Sequence, residues 1–254
     1  MKHLLLAVAT FIYLGGSVAF AFEPSAPPYP KGAFPDNCSI NQLQPIAETS
    51  RTETDYKSQY TAKSGAKSYS LTIDMDYGEK TFGLYAGLSS GKQELIRKVM
   101  IGDYPTYIDQ VYSGFLNEDK QLDFIVNMQA GDKNLMGNRQ HSYFILSKGN
   151  RYAVRKITSY ALEDKDFYDY TQDDRCEYLH LSFVSDQTQH YWVYNVLQFI
   201  DDKIVIKNKL SRYFPKWVTF DNTDKPVTID VKQKQRLWQD FIRKDAFVEE
   251  ISEK

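Results

Sequence analysis

From Tyr69 the chain alternates: Tyr69, Leu71, Ile73 and Met75 are separated by Ser70, Thr72 and Asp74, with Asp76 following. A period of two places one set of side chains in a core and the other in water, which predicts a half-buried strand. Comparable short segments recur at 82–86, 107–112, 122–128, 142–147, 152–157, 178–184, 190–200 and 203–206. Lys148-Gly149-Asn150 and Asp201-Asp202 are turn signals between neighbouring segments, and such short connections imply antiparallel pairing in one sheet or in two packed sheets.

One stretch carries a helical period. Between Asp230 and Asp245, Val231, Leu237, Trp238, Phe241 and Ile242 fall broadly on one face, and Lys232, Lys234, Gln235, Gln239 and Lys244 on the other. Asp230 supplies an N-cap oxygen. The expected class is therefore α+β, mainly antiparallel β-sheet with a C-terminal α-helix. No internal repeat supports a propeller or a solenoid.

The N-terminal pattern is different. Lys2 and His3 precede an apolar run from Leu4 to Leu14, broken only by Thr10, and Ala19-Phe20-Ala21 has the form of a cleavage site. The run is shorter than the ~20 apolar residues of a membrane span, so 1–21 is expected to be a secretory signal peptide, with a bacterial periplasm as destination and no membrane role after cleavage. Residues 22–36 hold five of the nine prolines, and 40–67 are polar without a sustained apolar period. The expectation is a proline-rich and polar tether over 22–67 and a single β-rich domain over 68–254.

Composition changes this picture little. Nineteen tyrosines and fifteen phenylalanines reinforce the strand reading. The net charge of −2, or −3 once Lys2 leaves with the leader, gives no global attraction to nucleic acid. An exported chain with two cysteines is expected to pair them, Cys38 with Cys176, closing a loop worth ~4 kcal/mol in the chain-entropy model.

Residues 114–126 bring an acid-bearing turn directly before an apolar strand. Asn117, Asp119 and Asp123, followed by Phe124-Ile125-Val126, resemble the D-x-N-x-D-G-x-x-D calcium loop and trailing strand of FG-GAP and VCBS-type repeats. The resemblance implies a metal-stabilised turn at the edge of a β-module. Phe115 stands at the first acidic position and Lys120 at the glycine. Removing a carboxylate and adding a cation leaves few of the six to eight oxygens calcium takes, so a metal-free turn of the same geometry is expected, with no metal and no cofactor.

Gly87-Leu88-Ser89-Ser90-Gly91 matches G-x-S-x-G, and Leu95, Ile96, Val99 and Met100 in the following segment are compatible with a helix, as a nucleophile elbow requires. A Ser89 hydrolase using His141, His180 or His190 as base is one alternative; a Ser-Gly hairpin tip is the other. No histidine pair has metal-ligand spacing. No catalytic residue is expected, and the chain is not expected to be an enzyme. The aromatic clusters 190–194 and 213–217 read as core material, with Pro215 ending a strand.

The densest chemistry lies at 163–177, where Glu163, Asp164, Asp166, Asp169, Asp173, Asp174 and Glu177 interleave with Phe167, Tyr168 and Tyr170. Tyrosines give contact area at low entropic cost and carboxylates steer a basic partner, so Asp166, Tyr168, Asp169, Tyr170 and Asp173 are the candidate partner contacts. The expected function is non-enzymatic binding by protein–protein contact. In type the chain is similar to periplasmic immunity proteins, which neutralise secreted toxins. A calcium- or carbohydrate-binding β-module is the remaining alternative.

Overall fold

The computed structural model describes residues 40–43, 45–51, 56–75, 80–88, 92–100, 107–117, 119–129, 140–159, 166–170, 173, 175–186, 189–208, 216–219 and 248–251. In chain order the strands are β1 (Ile40–Leu43), β2 (Pro45–Arg51), β3 (Tyr56–Ser64), β4 (Lys67–Met75), β5 (Lys80–Leu88) and β6 (Glu94–Met100). Next come β7 (Tyr107–Gly114), β8 (Asp123–Gln129), β9 (Gln140–Lys148), β10 (Arg151–Ser159) and β11 (Phe167–Tyr168). The last are β12 (Glu177–Asp186), β13 (Gln189–Ile200), β14 (Lys203–Ile206), β15 (Lys216–Thr219) and β16 (Val248–Ile251).

These strands form three antiparallel sheets. The first is the meander β2-β3-β4-β5-β6, and the second has the order β1-β7-β8-β9-β10-β16. The third runs β11-β12-β13-β14, with β15 also paired to β13. The second sheet is thus completed from both ends of the described chain: β1 pairs with β7 on one edge, and β16 with β10 on the other.

The second sheet lies between the other two. Phe124, Val126 and Met128 of β8 and Tyr143 and Ile145 of β9 join a core with Leu71, Ile73, Phe82 and Leu84 of the first sheet. Ile125, Phe144 and Leu146 face the opposite way and join Phe167, Tyr178, Leu197 and Phe199 of the third. Phe144 is at the centre of that second cluster, with ring centroids 5.1 Å from Phe199 and 5.6 Å from Tyr178. A strand covered on both faces loses its polar alternation, which accounts for the continuous run Phe124-Ile125-Val126.

The α+β expectation is corrected here: no α-helix occurs among the described residues, which are strands joined by turns. The physical reason is that each apolar sheet face is covered by another sheet, so the core described needs no helical cover. The stretch 230–245 itself lies outside the described residues. The segment that includes Leu95 and Met100 is not helical either; it is β6, paired with β5 through a register shift at Leu84/Tyr85. On this edge strand Val99 is buried while Leu95 is 50% exposed, so its apolar residues do not share one face.

The sheets also begin earlier than Ser68, because β1, β2 and β3 fall within 40–64. Strand β3 alternates correctly, with Ser58, Tyr60 and Ala62 buried. Two of those three are small, so the apolar period is faint. The two expected hairpin turns are present: β9 and β10 meet at Gly149 (φ 59°), and β13 and β14 at Asp201 (φ 51°). Both adopt the left-handed conformation that a tight hairpin uses.

Candidate functional site

The β7–β8 connection is built around Asp123, which is 0% exposed at the start of β8. Its Oδ2 accepts the backbone N–H groups of Leu116 (2.8 Å) and Asn117 (3.2 Å). Its Oδ1 accepts the backbone N–H (2.7 Å) and hydroxyl (2.8 Å) of Ser147 on β9. Burial raises the Asp123 carboxyl to about 6, against the opposing pull of these donors. Asn117 Nδ2 donates to the carbonyls of Ser147 (2.7 Å) and Asp201 (3.1 Å), linking the turn to the β13–β14 hairpin. Asp119 Oδ1 accepts the Gln121 N–H at 2.9 Å, and Lys120 has φ 59°, the left-handed conformation for which the calcium-loop pattern uses glycine. Asn117, Asp119 and Asp123 are therefore brought together, with their oxygens turned toward N–H and O–H donors.

Ser89 lies outside the described residues. Its flanks, β5 and β6, are antiparallel neighbours, with Ala86 opposite Glu94, so the segment joins two strands where a nucleophile elbow joins a strand to a helix. His141 Nδ1 is 3.1 Å from the Thr158 hydroxyl. His180 is buried with Nε2 3.0 Å from the Thr158 carbonyl, an acceptor that fixes the proton on Nε2. Burial lowers that imidazole to about 4. The side chain of His190 lies outside the described residues. A concavity of about 300 Å³ opens between β4–β6 and the β9–β10 turn, walled by Tyr69, Ala86, Ile96 and Tyr152 with Lys67 and Asn150 at its rim.

The acidic segment is organised by the third sheet. Phe167 pairs with Tyr178 and Tyr168 with Glu177 across β11 and β12, and the Phe167 and Tyr178 rings stack at 5.1 Å. Tyr178 donates its hydroxyl to Ser159 Oγ at 2.9 Å. Among the candidate contacts, Asp166, Asp169 and Tyr170 are buried, Tyr168 is half-buried with its ring against Tyr170, and Asp173 is exposed. Burial pushes the Tyr170, Tyr178 and Tyr194 phenols up, and the Asp166 carboxylate adds to the effect at each. The tyrosines are therefore neutral hydrogen-bonding and packing groups.

Carboxylate oxygens of Asp169, Asp173 and Glu177 lie within 4.8 Å of one another. The Asp173 backbone N–H donates to Asp169 Oδ1 at 3.0 Å, closing the loop on itself. Gln198, register partner of Glu177 on β13, donates Nε2 to Glu177 Oε1 (2.8 Å) and to Asp173 Oδ2 (3.0 Å). Sequence reasoning named neither Glu177 nor Gln198 as a site residue. The available signal was a glutamine inside the otherwise apolar run Val196-Leu197-Gln198-Phe199, a position that has to satisfy its amide indoors. Cys176, beside this cluster, is buried; Cys38 lies outside the described residues. No family model, curated protein or solved structure matches this chain.

Proposed function

We propose that the chain is an exported, non-enzymatic protein that acts by contact with a protein partner, as an immunity-type inhibitor of a secreted toxin. One observation carries this reading: among the described residues of the acidic segment, Phe167 and its register partner Tyr178 are anchored in the core and Glu177 is buried beside them, while Tyr168 and Asp173 reach the surface. Side chains held in place before binding lose less entropy on association, and carboxylates together with tyrosines suit a basic, partly apolar partner surface. A Cys38–Cys176 cross-link would add a covalent anchor at the same place; the burial of Cys176 and the lack of any free cysteine among the described residues support it. The signal peptide over 1–21 supplies the export route in this reading.

Titration calorimetry of the protein against each exported polypeptide whose gene is found to lie beside its own tests the proposal. Binding that weakens at least tenfold in Asp173→Lys is the expected result. No binding, or binding indifferent to that charge reversal, overturns the contact assignment.

A further inference from the structure

We infer that the concavity between β4–β6 and the β9–β10 turn is a binding site for a small organic anion with an apolar body, of the medium-chain carboxylate class. The site is independent of the proposed protein contact, which belongs to the third sheet. Its origin is a shortened row of core side chains. On β4 and β5 the register pairs Ile73–Phe82 and Leu71–Leu84 each set two large, fully buried side chains against the second sheet. The next pair in that row is Tyr69–Ala86, in which one of the two is only a methyl group. Gly87 and Gly149, which also line the hollow, add no side chain. Interiors are otherwise close-packed, so a row truncated at its end leaves space. The resulting volume of about 300 Å³ is at the lower end of the ~300–1,000 Å³ of ligand pockets, which selects a small occupant.

The wall is apolar and held in place before any ligand arrives. The Tyr69 ring packs against Phe124 with centroids 5.7 Å apart, and Tyr152 donates its hydroxyl to the Leu122 carbonyl at 3.1 Å. Ala86 and Ile96 complete it from β5 and β6. Charge then selects the polar end of the ligand. Among the described residues the lining carries one ionised group, Lys67, and no carboxylate. Asp119, in the adjoining β7–β8 turn, directs Oδ1 to the Ser147 hydroxyl (2.8 Å) and the Gln121 N–H (2.9 Å). Glu94, opposite Ala86 on β6, is exposed and outside the lining. Lys57, Lys148 and Lys156 each have an acidic partner, whereas Lys67 has none among the described residues. An ammonium without an internal counter-ion at the rim of an apolar hollow attracts an anion and repels a cation. The Asn150 amide at the same rim adds a neutral donor.

Titration of the full folded protein with sodium decanoate below its micelle concentration, followed by calorimetry and amide NMR, tests the assignment. Expected are saturable binding with shifts at Ala86, Ile96 and Tyr152, and no saturable binding of decylammonium. Affinity should fall at least tenfold in Lys67→Glu, which reverses the rim charge, and in Ala86→Phe, which fills the hollow. It should be unchanged in Lys203→Glu, an exposed lysine of the third sheet. Lys67 is exposed, so its variant keeps the fold, which far-UV circular dichroism verifies. No saturable decanoate binding in the wild type overturns the proposal, as does decylammonium binding equally well, or decanoate affinity that survives Lys67→Glu intact.

Discussion

Ser147 on β9 donates both its backbone N–H and its hydroxyl to the same oxygen of Asp123, at 2.7 and 2.8 Å, across the central pair of strands in the second sheet. The other carboxylate oxygen receives two backbone N–H groups from the turn. Asp123 thus ties the β7–β8 connection to the neighbouring strand through an acceptor that is needed on both sides.

Asp123→Asn places an amide NH₂ opposite backbone N–H donors whichever way it is turned. The expected loss is about 2–3 kcal/mol, the cost of leaving buried donors unsatisfied. Urea denaturation at neutral pH reads it as a lower midpoint at unchanged slope.

The His180 imidazole is lowered to about 4 in the folded chain, from about 6.5 when unfolded. Between those values the unfolded state binds more protons. The contribution of His180 is therefore fully present above pH 6.5 and is lost as pH falls toward 4, by roughly 3 kcal/mol in all. Asp123 acts with the opposite sign. Its carboxyl is raised from 3.8 to about 6, so its contribution is present below 3.8 and is lost as pH rises through 6. His180→Gln retains a donor for Thr158 and removes only the imidazole slope. Stability curves of wild type and variant between pH 4 and 7 should diverge toward acid, with the variant losing less; parallel curves contradict the burial of a neutral imidazole.

Lys120 carries a side chain at φ 59°. Lys120→Gly relieves a backbone cost of about 1 kcal/mol, offset in part by the greater freedom of the unfolded chain. A small rise in thermal midpoint, of a few degrees at most, is the expected result by calorimetry.

Gly87 sits where a Cβ would lie 2.5 Å from the Lys92 carbonyl oxygen and 3.1 Å from Gln93 Cα. Both are backbone atoms and cannot swing away. Gly87→Ala should therefore push the ends of β5 and β6 apart and destabilise the protein by about 1–3 kcal/mol. Amide exchange at the β5–β6 ladder should accelerate more than at β8 and β9.

Period-two segments and turn residues were legible wherever one sheet face is apolar and the other wet, as at Tyr69–Met75, or where a hairpin needs a left-handed residue, as at Gly149 and Asp201. Legibility failed for particular reasons. Strand β3 buries Ser58 and Ala62, which carry little apolar signal, and β6 is an edge strand whose Leu95 faces water. Strands β1 and β16 are too short to show a period, and they exist because β7 and β10 offer them open edges. The acidic segment was visible as charge. Its division into buried Asp166, Asp169 and Tyr170 and exposed Asp173 was not, because that division comes from the pairing of β11 with β12 and from Gln198, distant in sequence.

The location of the proposed contact is tested most directly by hydrogen exchange on the protein with and without the exported polypeptide that calorimetry finds to bind it. The account predicts that exchange slows at residues 166–177 on complex formation. Unchanged exchange there, with protection appearing at the exposed edge strand β6 or elsewhere, would contradict it.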